Sequence, residues 1–506
     1  MSSSADLTDA TPQSGTGFIK AMSLTDATML VAGSMIGSGI FIVSASMARG
    51  LPSPMWMMLA WVLSGVMTLL GALAYGEMAA MYPQAGGQYV FLRESMGNLM
   101  GFLYGWTFFV VIQTGTIAAV AVAFGKFMGV LFPAVSASFF SWFPRADVCV
   151  AALGCTGPAD AITIGLNPQR LAGLLSIAIL TWVNLRGVRE GKLVQTTLTV
   201  VKTGALAILV LLGLTVGRNA LAVASNFGGG RFVGEWSWSY GLVVAFGAAM
   251  VGSLFSSDAW NSVTFAAAEV KNPSRNLPMA LLLGTGLVSL LYIVANVSYL
   301  NVLPYDGIAG SAGVVARGIR HATEDRVGTA VAETIFGGSG GALMAIAILI
   351  STFGCNNGLI LSGARVLYAM SRDGVFFRKA GTLNRNHVPA FALVVQSIWT
   401  AILCLTGTYN QLLNYVIFAA LLFYVFTTTG LFILRRTRAG VARPYRAVGY
   451  PVLPALYILL SAGVMVLLLL APTTRTESVS GLVLVLIGIP VFFVWRRVER
   501  PTPASA

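Results

Sequence analysis

Twelve apolar runs, most near the ~20 residues a helix needs to cross a bilayer, dictate what this chain can become. They lie at about 24–47, 55–82, 98–130, 170–187, 193–217, 238–267, 277–300, 339–370, 388–407, 411–434, 451–471 and 478–495. Lipid offers no partner for a backbone group, so such runs become helices that bond internally. Hydrophobic residues make up 56% of the chain and charged ones 10%, with a mean hydropathy of +0.80, outside the range of soluble domains. The expected class is an all-α polytopic membrane protein with twelve transmembrane helices. The first twenty residues are polar and lack a short apolar core, so no cleavable signal peptide is expected.

The net charge of +13 is not a nucleic-acid footprint here, because Lys and Arg of membrane proteins gather in cytoplasmic loops. With the N-terminus inside, about 20 of the 31 Lys and Arg fall on the cytoplasmic side. The densest groups are Arg435, Arg436, Arg438, Arg443 and Arg446, and then Arg496, Arg497 and Arg500. A multi-pass protein of the cell membrane with both termini cytoplasmic is therefore expected.

Two apolar runs are interrupted. In the first, Gly33-Ser34-Met35-Ile36-Gly37-Ser38-Gly39-Ile40-Phe41 places three glycines and two serines at mid-membrane depth. Interior glycine costs a helix about 1 kcal/mol against alanine. A break there is tolerable only where freed backbone groups face protein, water or ligand. Freed N–H groups attract an anion and freed carbonyls a cation, and a zwitterionic amino acid carries both. A helix-packing face through Gly33 and Gly37 is the plainer alternative. The sixth run breaks at Gly252-Ser253-Leu254-Phe255-Ser256-Ser257-Asp258-Ala259-Trp260-Asn261. Breaks five segments apart suggest two five-helix inverted repeats, about 21–217 and 238–434. They would form a core at 21–435, with helices eleven and twelve at 436–497 and tails at 1–20 and 498–506.

Asp258 is costly within a span, and three roles stay open: selecting a cationic side chain, carrying a proton, or bonding the neighbouring serines. Trp260 reads equally as packing or pocket. Glu77 and Arg93 lie near the inner surface, as an ion pair or a gate, and Lys126 near the outer end of its span, where it snorkels. Two outer loops stand out. Residues 131–169 carry Cys149 and Cys155, for which a disulfide and two free thiols are both open. Residues 303–338 carry His321, Glu324, Asp325 and Arg326, and are read as short helices forming an outer lid by analogy. No CxxC, HExxH, Walker A or metal cluster occurs, so neither an enzyme nor a cofactor nor a metal site is expected. The expected partners are an amino acid and the bilayer, with no obligate protein partner evident.

These motifs together resemble the amino acid–polyamine–organocation superfamily, and within it the L-amino acid transporter family, over about residues 20 to 500. Gly33 to Phe41 resembles the family's first-helix motif. Phe255 to Asn261, with Glu269-Val270-Lys271-Asn272-Pro273 and Pro278, resembles the sixth-helix pattern and the loop after it. Asn184 to Val188, Lys202, Ser351 to Gly354, Arg365 to Gly374 and Arg443 to Arg446 fall where the family has markers. Ser257 and Ala259 depart from it, since many relatives have an aromatic and a glycine there.

The resemblance implies a LeuT-type fold and alternating-access transport of L-amino acids without sodium, as an exchanger. Neutral substrates are favoured; a cationic amino acid or polyamine carrier, proton-coupled, is the alternative, and a membrane sensor the rival of another class. By resemblance, Ser38 and Gly39 hold the substrate carboxylate. The carbonyls of Met35, Phe255 and Asp258 receive its ammonium, and Phe255 is the gate. Ser34, Gly37, Ser256 and Asn261 complete the substrate site, and Phe418, Ala420 and Leu421 line its side-chain end. Lys202 takes the place of a coupling ion, its ammonium meeting carbonyls near Gly33 and the Ser351 hydroxyl.

Overall fold

Each apolar run folds as a helix whose ends are set by local chemistry. The computed structural model describes residues 18–135, 137–141, 143–148, 162–234, 239–406 and 409–498. Cys149 and Cys155 lie outside the described residues, as does Arg500. The first run gives α1, Leu24–Met35, and α2, Gly39–Gly50. Ser23 and Asp26 cap α1 reciprocally, which satisfies donors that a helix start leaves open. Between the two halves Ile36 is extended, at φ −74° and ψ 91°, so the helix stops inside the run. Then follow α3 (Pro54–Met81), α4 (Gln88–Met96) and α5 (Asn98–Leu131), the last with a π turn at Phe108–Ile112. Next come α6 (Pro168–Arg186), α7 (Val188–Leu214) and α8 (Ala220–Phe227).

The sixth run does not form one span over 238–267. It gives α9, Tyr240–Ser256, an irregular stretch, and the short α10, Ser262–Phe265. Ala259 sits at φ 60°, a left-handed conformation that an L-residue with a side chain adopts only under constraint. Then come α11 (Pro273–Val302), α12 (Val327–Phe336), α13 (Gly338–Arg372), α14 (Ala390–Thr406), α15 (Tyr409–Thr437), α16 (Val452–Leu470) and α17 (Pro472–Val498). Among the described residues nine helices are long and apolar enough to cross a membrane, counting α1 and α2 as one. The helices of the sixth and ninth runs are shorter.

The loop at 131–169 holds a short antiparallel pair, Ala146–Val148 with Ile162–Ile164, where only loop is expected from the sequence. The loop at 303–338 contains the expected short helices, α12 among them.

In the interior, α1 packs on α7, α11 and α13, while α2 packs on α9. Alongside these, α11 lies against α3, and α13 against α5. The last two helices, α16 and α17, pack on α15. Phe18 meets Tyr368 edge-on in the last turns of α13, and Trp495 stacks on Phe376 just beyond it, so both ends of the described chain reach the region around the end of α13. We call that side the terminal face.

Candidate substrate site

The break between α1 and α2 is filled from α7 and α13. Lys202, 1% exposed, donates from Nζ to the Gly33 carbonyl at 2.5 Å and the Ile36 carbonyl at 2.7 Å. A longer bond of 3.3 Å reaches the Ser351 carbonyl. The expected contact to the Ser351 hydroxyl is not made. That hydroxyl donates instead to the carbonyls of Ile36 at 3.2 Å and Gly37 at 3.1 Å. The correction has a simple cause. The freed carbonyls only accept, so both donors turn to them: the ammonium takes Gly33 and Ile36, and the hydroxyl spends its proton on Ile36 and Gly37.

Other carbonyls of the break are also engaged. Tyr292 donates to Met35 at 3.0 Å, and the Cys355 thiol lies 3.0 Å from the Ser34 carbonyl. The Ser34 hydroxyl is buried with no hydrogen-bond partner among the described residues. A polar amide also presses on the first half-helix. A Cβ on Gly33 would overlap the Gln195 amide and the Thr199 hydroxyl, which leaves glycine as the residue that fits.

The two breaks meet at Gly39 and Ser256. A Cβ on Gly39 would overlap the Ser256 hydroxyl and stand 2.8 Å from its Cβ. Ser256 itself donates back to the Gly252 carbonyl at 2.8 Å. Ser38 is buried at the start of α2, and the Phe41 amide donates to its carbonyl.

Asp258, 7% exposed, is satisfied by a residue sequence reasoning missed. The Tyr424 hydroxyl donates to it at 2.5 Å, and the Ala259 amide donates as well. Bonding to the neighbouring serines is therefore not its solution, because Ser256 turns back along its own helix. Among the described residues Asp258 forms no ion pair. Asn261 donates to Gln88 at 2.9 Å, and Gln88 to Thr427 at 3.0 Å, which ties the second break to α4 and α15.

Two cavities lie at this second break. One, with room for about a single water, reaches α5 and α13 and touches Gln88, Gln113, Thr116 and Asn261. The other, of similar small size, is lined by Met67, Leu254, Trp260, Ile417 and Leu421 together with Thr68, Ser257 and Tyr457. Asp258, Ala420 and Tyr424 border both. The π turn of α5 contributes Phe108 and Ile112 to the first, a common place for such irregularity. Ala420 and Leu421 thus line cavities, whereas Phe418 is buried against Gly481 of α17 and lines neither. Phe255 is buried in the core and borders neither cavity. Trp260 is both packing and wall, edge-on to Tyr75 with ring centres 4.7 Å apart. Tyr424 was findable in principle, since it follows Ala420 by one helical turn on the same face.

Ion pairs gather at the two ends of the helices. Glu77 does not pair with Arg93. It is fully buried and accepts from Arg435 at 3.0 and 2.6 Å, with Arg443 at 3.3 Å and the Ala447 amide at 2.7 Å. Arg93 pairs with Glu94 and Asp373. Burial foremost, and then the Asp373 carboxylate it donates to, push the Tyr89 hydroxyl up, so it stays a donor. Glu269 and Arg365 form a buried pair at 2.8 Å just behind the second break. On the opposite face Arg49, at the end of α2, holds Asp325 with two bonds of 2.6 and 3.0 Å.

The amino acid permease family matches residues 22–493 of this chain. The chain belongs to the amino acid permease family. Similar proteins include the rat b(0,+)-type amino acid transporter 1, 29% identical over 96% of this chain and 91% of the relative. The serine/threonine exchanger SteT of Bacillus subtilis (strain 168) is 29% identical over 94% of this chain and 97% of its own length. The human large neutral amino acids transporter small subunit 2 is 28% identical over 96% of this chain and 83% of its own length. This permease is thus an all-α polytopic membrane protein of the LeuT-type fold and an amino acid transporter, not an enzyme. The two helix breaks that carry its resemblance both lie inside the matched region.

Proposed function

We propose that the chain is a sodium-independent exchanger of neutral L-amino acids that works by alternating access. The observation that carries sodium independence is the Lys202 ammonium, held by carbonyls freed at the first break. A sodium ion there would face a fixed positive charge and find its carbonyl ligands already taken. The neutral preference rests on Asp258, whose carboxylate is occupied by Tyr424 and a backbone amide. Exchange draws support from the relative named as a serine/threonine exchanger.

In this reading the substrate carboxylate sits at the start of α2, on the N–H groups of Ser38 and Gly39, where a helix N-terminus favours an anion. Ser34, Met35, Gly37, Phe255, Ser256, Asp258 and Asn261 surround the amino acid. Phe255 closes over it, and Ala420 and Leu421 meet its side chain. The core spans 21–435, with both termini on the cytoplasmic side of the cell membrane, where the arginines of the terminal face belong.

The test is transport by the full chain alone in proteoliposomes. Vesicles preloaded with single unlabelled amino acids are assayed for uptake of labelled serine, alanine or leucine, in sodium and in choline at equal ionic strength. Uptake is expected only into preloaded vesicles, with no sodium requirement. Uptake rising steeply with sodium, or equal uptake into empty vesicles, would overturn the reading. Since one relative is named a small subunit, the same assay asks whether this chain works without a second chain. Transport by the purified chain alone is the expected result.

A further inference from the structure

Asp258 and Tyr424 line two small neighbouring cavities, each with both polar and apolar walls. On one side Gln88, Gln113, Thr116 and Asn261 offer amides and hydroxyls. On the other, Met67, Leu254, Trp260 and Ile417 stand beside Thr68, Ser257 and Tyr457. The Tyr424 hydroxyl donates to the Asp258 carboxylate at 2.5 Å. Its ring is held independently of this bond. Tyr75 meets it edge-on with centres 6.1 Å apart, and Trp260 lies tilted against it at 5.5 Å.

We propose that Tyr424 sets the charge selectivity of this permease by occupying Asp258 against the cationic side chains of Lys- or Arg-type amino acids. The inference rests on the neutral-substrate reading and names the residue that enforces it. An unoccupied carboxylate lining a cavity is a strong acceptor for an ammonium or guanidinium, because charge-assisted bonds are about twice as strong as neutral ones. With Tyr424 in place, a cationic head group must displace a hydroxyl bond to reach the carboxylate, and the site forfeits that bond. A neutral side chain has no need of the carboxylate, so it loses nothing. Specificity here comes from what the unwanted substrate must break. A phenylalanine at 424 keeps the ring contacts and removes only the hydroxyl.

The experiment uses the full chain in proteoliposomes and reads competition by arginine and by citrulline, its uncharged near-isostere, against one labelled neutral substrate. The ratio of their half-inhibitory concentrations isolates charge from length. In Tyr424→Phe this ratio is expected to shift about tenfold or more toward arginine, the size of one charge-assisted bond gained. The double variant Tyr424→Phe with Asp258→Asn is expected to return to the unmodified ratio. Tyr424→Leu removes the hydroxyl with a different shape and is expected to shift the ratio in the same direction, so one misfolded variant does not decide the outcome. An unchanged ratio in both single variants overturns the proposal. So does a shift that persists in the double variant, which would mark a loosened pocket and not an uncovered charge. An unmodified chain that already takes arginine as well as citrulline refutes the neutral reading itself, a result distinct from either of these.

Discussion

Gly39→Ala is the smallest change that separates the two breaks. The added Cβ would overlap the Ser256 hydroxyl, stand 2.8 Å from the Ser256 Cβ and 3.1 Å from its Cα. The hydroxyl can turn aside, but the Cα is backbone and the Cβ is fixed to it. The Cβ contact falls about 0.6 Å short of the 3.4 Å at which ordinary contact begins, so α2 and α9 must move apart by at least that much. Such overpacking costs about 1–3 kcal/mol in a well-packed interior. If the substrate is held between the start of α2 and the end of α9, most of that cost falls on the substrate-closed state. Substrate affinity should then drop by about tenfold to a hundredfold, at 1.4 kcal/mol per tenfold. The Ser256→Gly change removes the opposing Cβ and hydroxyl, and the double variant should recover most of the loss. The assay is binding to purified protein by scintillation proximity, with circular dichroism to show that the helices persist. Affinity within a factor of about two of the unmodified protein in Gly39→Ala would refute the closure argument. Equal loss in the single and double variants would place the effect elsewhere than at this contact.

Three further outcomes are expected. Lys202→Met keeps much of the volume but gives up the two bonds at 2.5 and 2.7 Å, worth about 3 kcal/mol together, so exchange should fall about a hundredfold; near-normal flux would refute the role given to the ammonium. Ala259→Gly relieves about 1 kcal/mol of left-handed strain against about 0.5 kcal/mol of added unfolded-state entropy, so the melting temperature in detergent should rise slightly, and a clear fall would contradict the strain. Glu77→Gln leaves Arg435 and Arg443 without their carboxylate and should destabilise the protein by about 2 kcal/mol, below the cost at a dry site because water reaches Arg435; an unchanged melting temperature would show that the cluster is dispensable.

What the sequence reveals of this site follows from how far each signal extends along the chain. The breaks at Gly33 to Phe41 and Gly252 to Asn261 are legible because poor helix formers at membrane depth have few uses. Lys202 is legible for the same reason, since a lysine among Val200, Val201 and Ala205 must find acceptors. In the structure its ammonium meets the Gly33 and Ile36 carbonyls, while the Ser351 hydroxyl turns to carbonyls of its own, a direction nothing in the sequence specifies. Tyr424 stayed hidden for a different reason. It is one apolar-looking aromatic in an apolar helix, and its partner lies 166 positions away. Glu77 and Arg435 are 358 apart, a separation at which the sequence carries no pairing signal. The helix α4 was missed because its buried face spans only Gln88 to Leu92, followed by Arg93 and Glu94, and so its composition reads as loop.

The fixed ammonium also constrains how the carrier can be driven. The last carbonyls of α1 form the negative end of a half-helix, and Lys202 complements it permanently. A bound sodium ion in that place would arrive and leave with the transport cycle and so link substrate movement to its own gradient. A lysine side chain cannot leave. Two sources of drive remain on the proposed reading: the gradient of another amino acid, or a proton carried by a buried group such as Lys202 or Asp258. They differ in one measurable respect. An exchanger gains nothing from a proton gradient when the opposite compartment holds no amino acid. A proton-coupled carrier accumulates substrate into empty vesicles whenever the outside is acid. Imposing an outward-acid gradient on empty proteoliposomes should therefore produce no accumulation above the level set by simple equilibration. Accumulation that collapses on adding a protonophore would overturn the exchange reading.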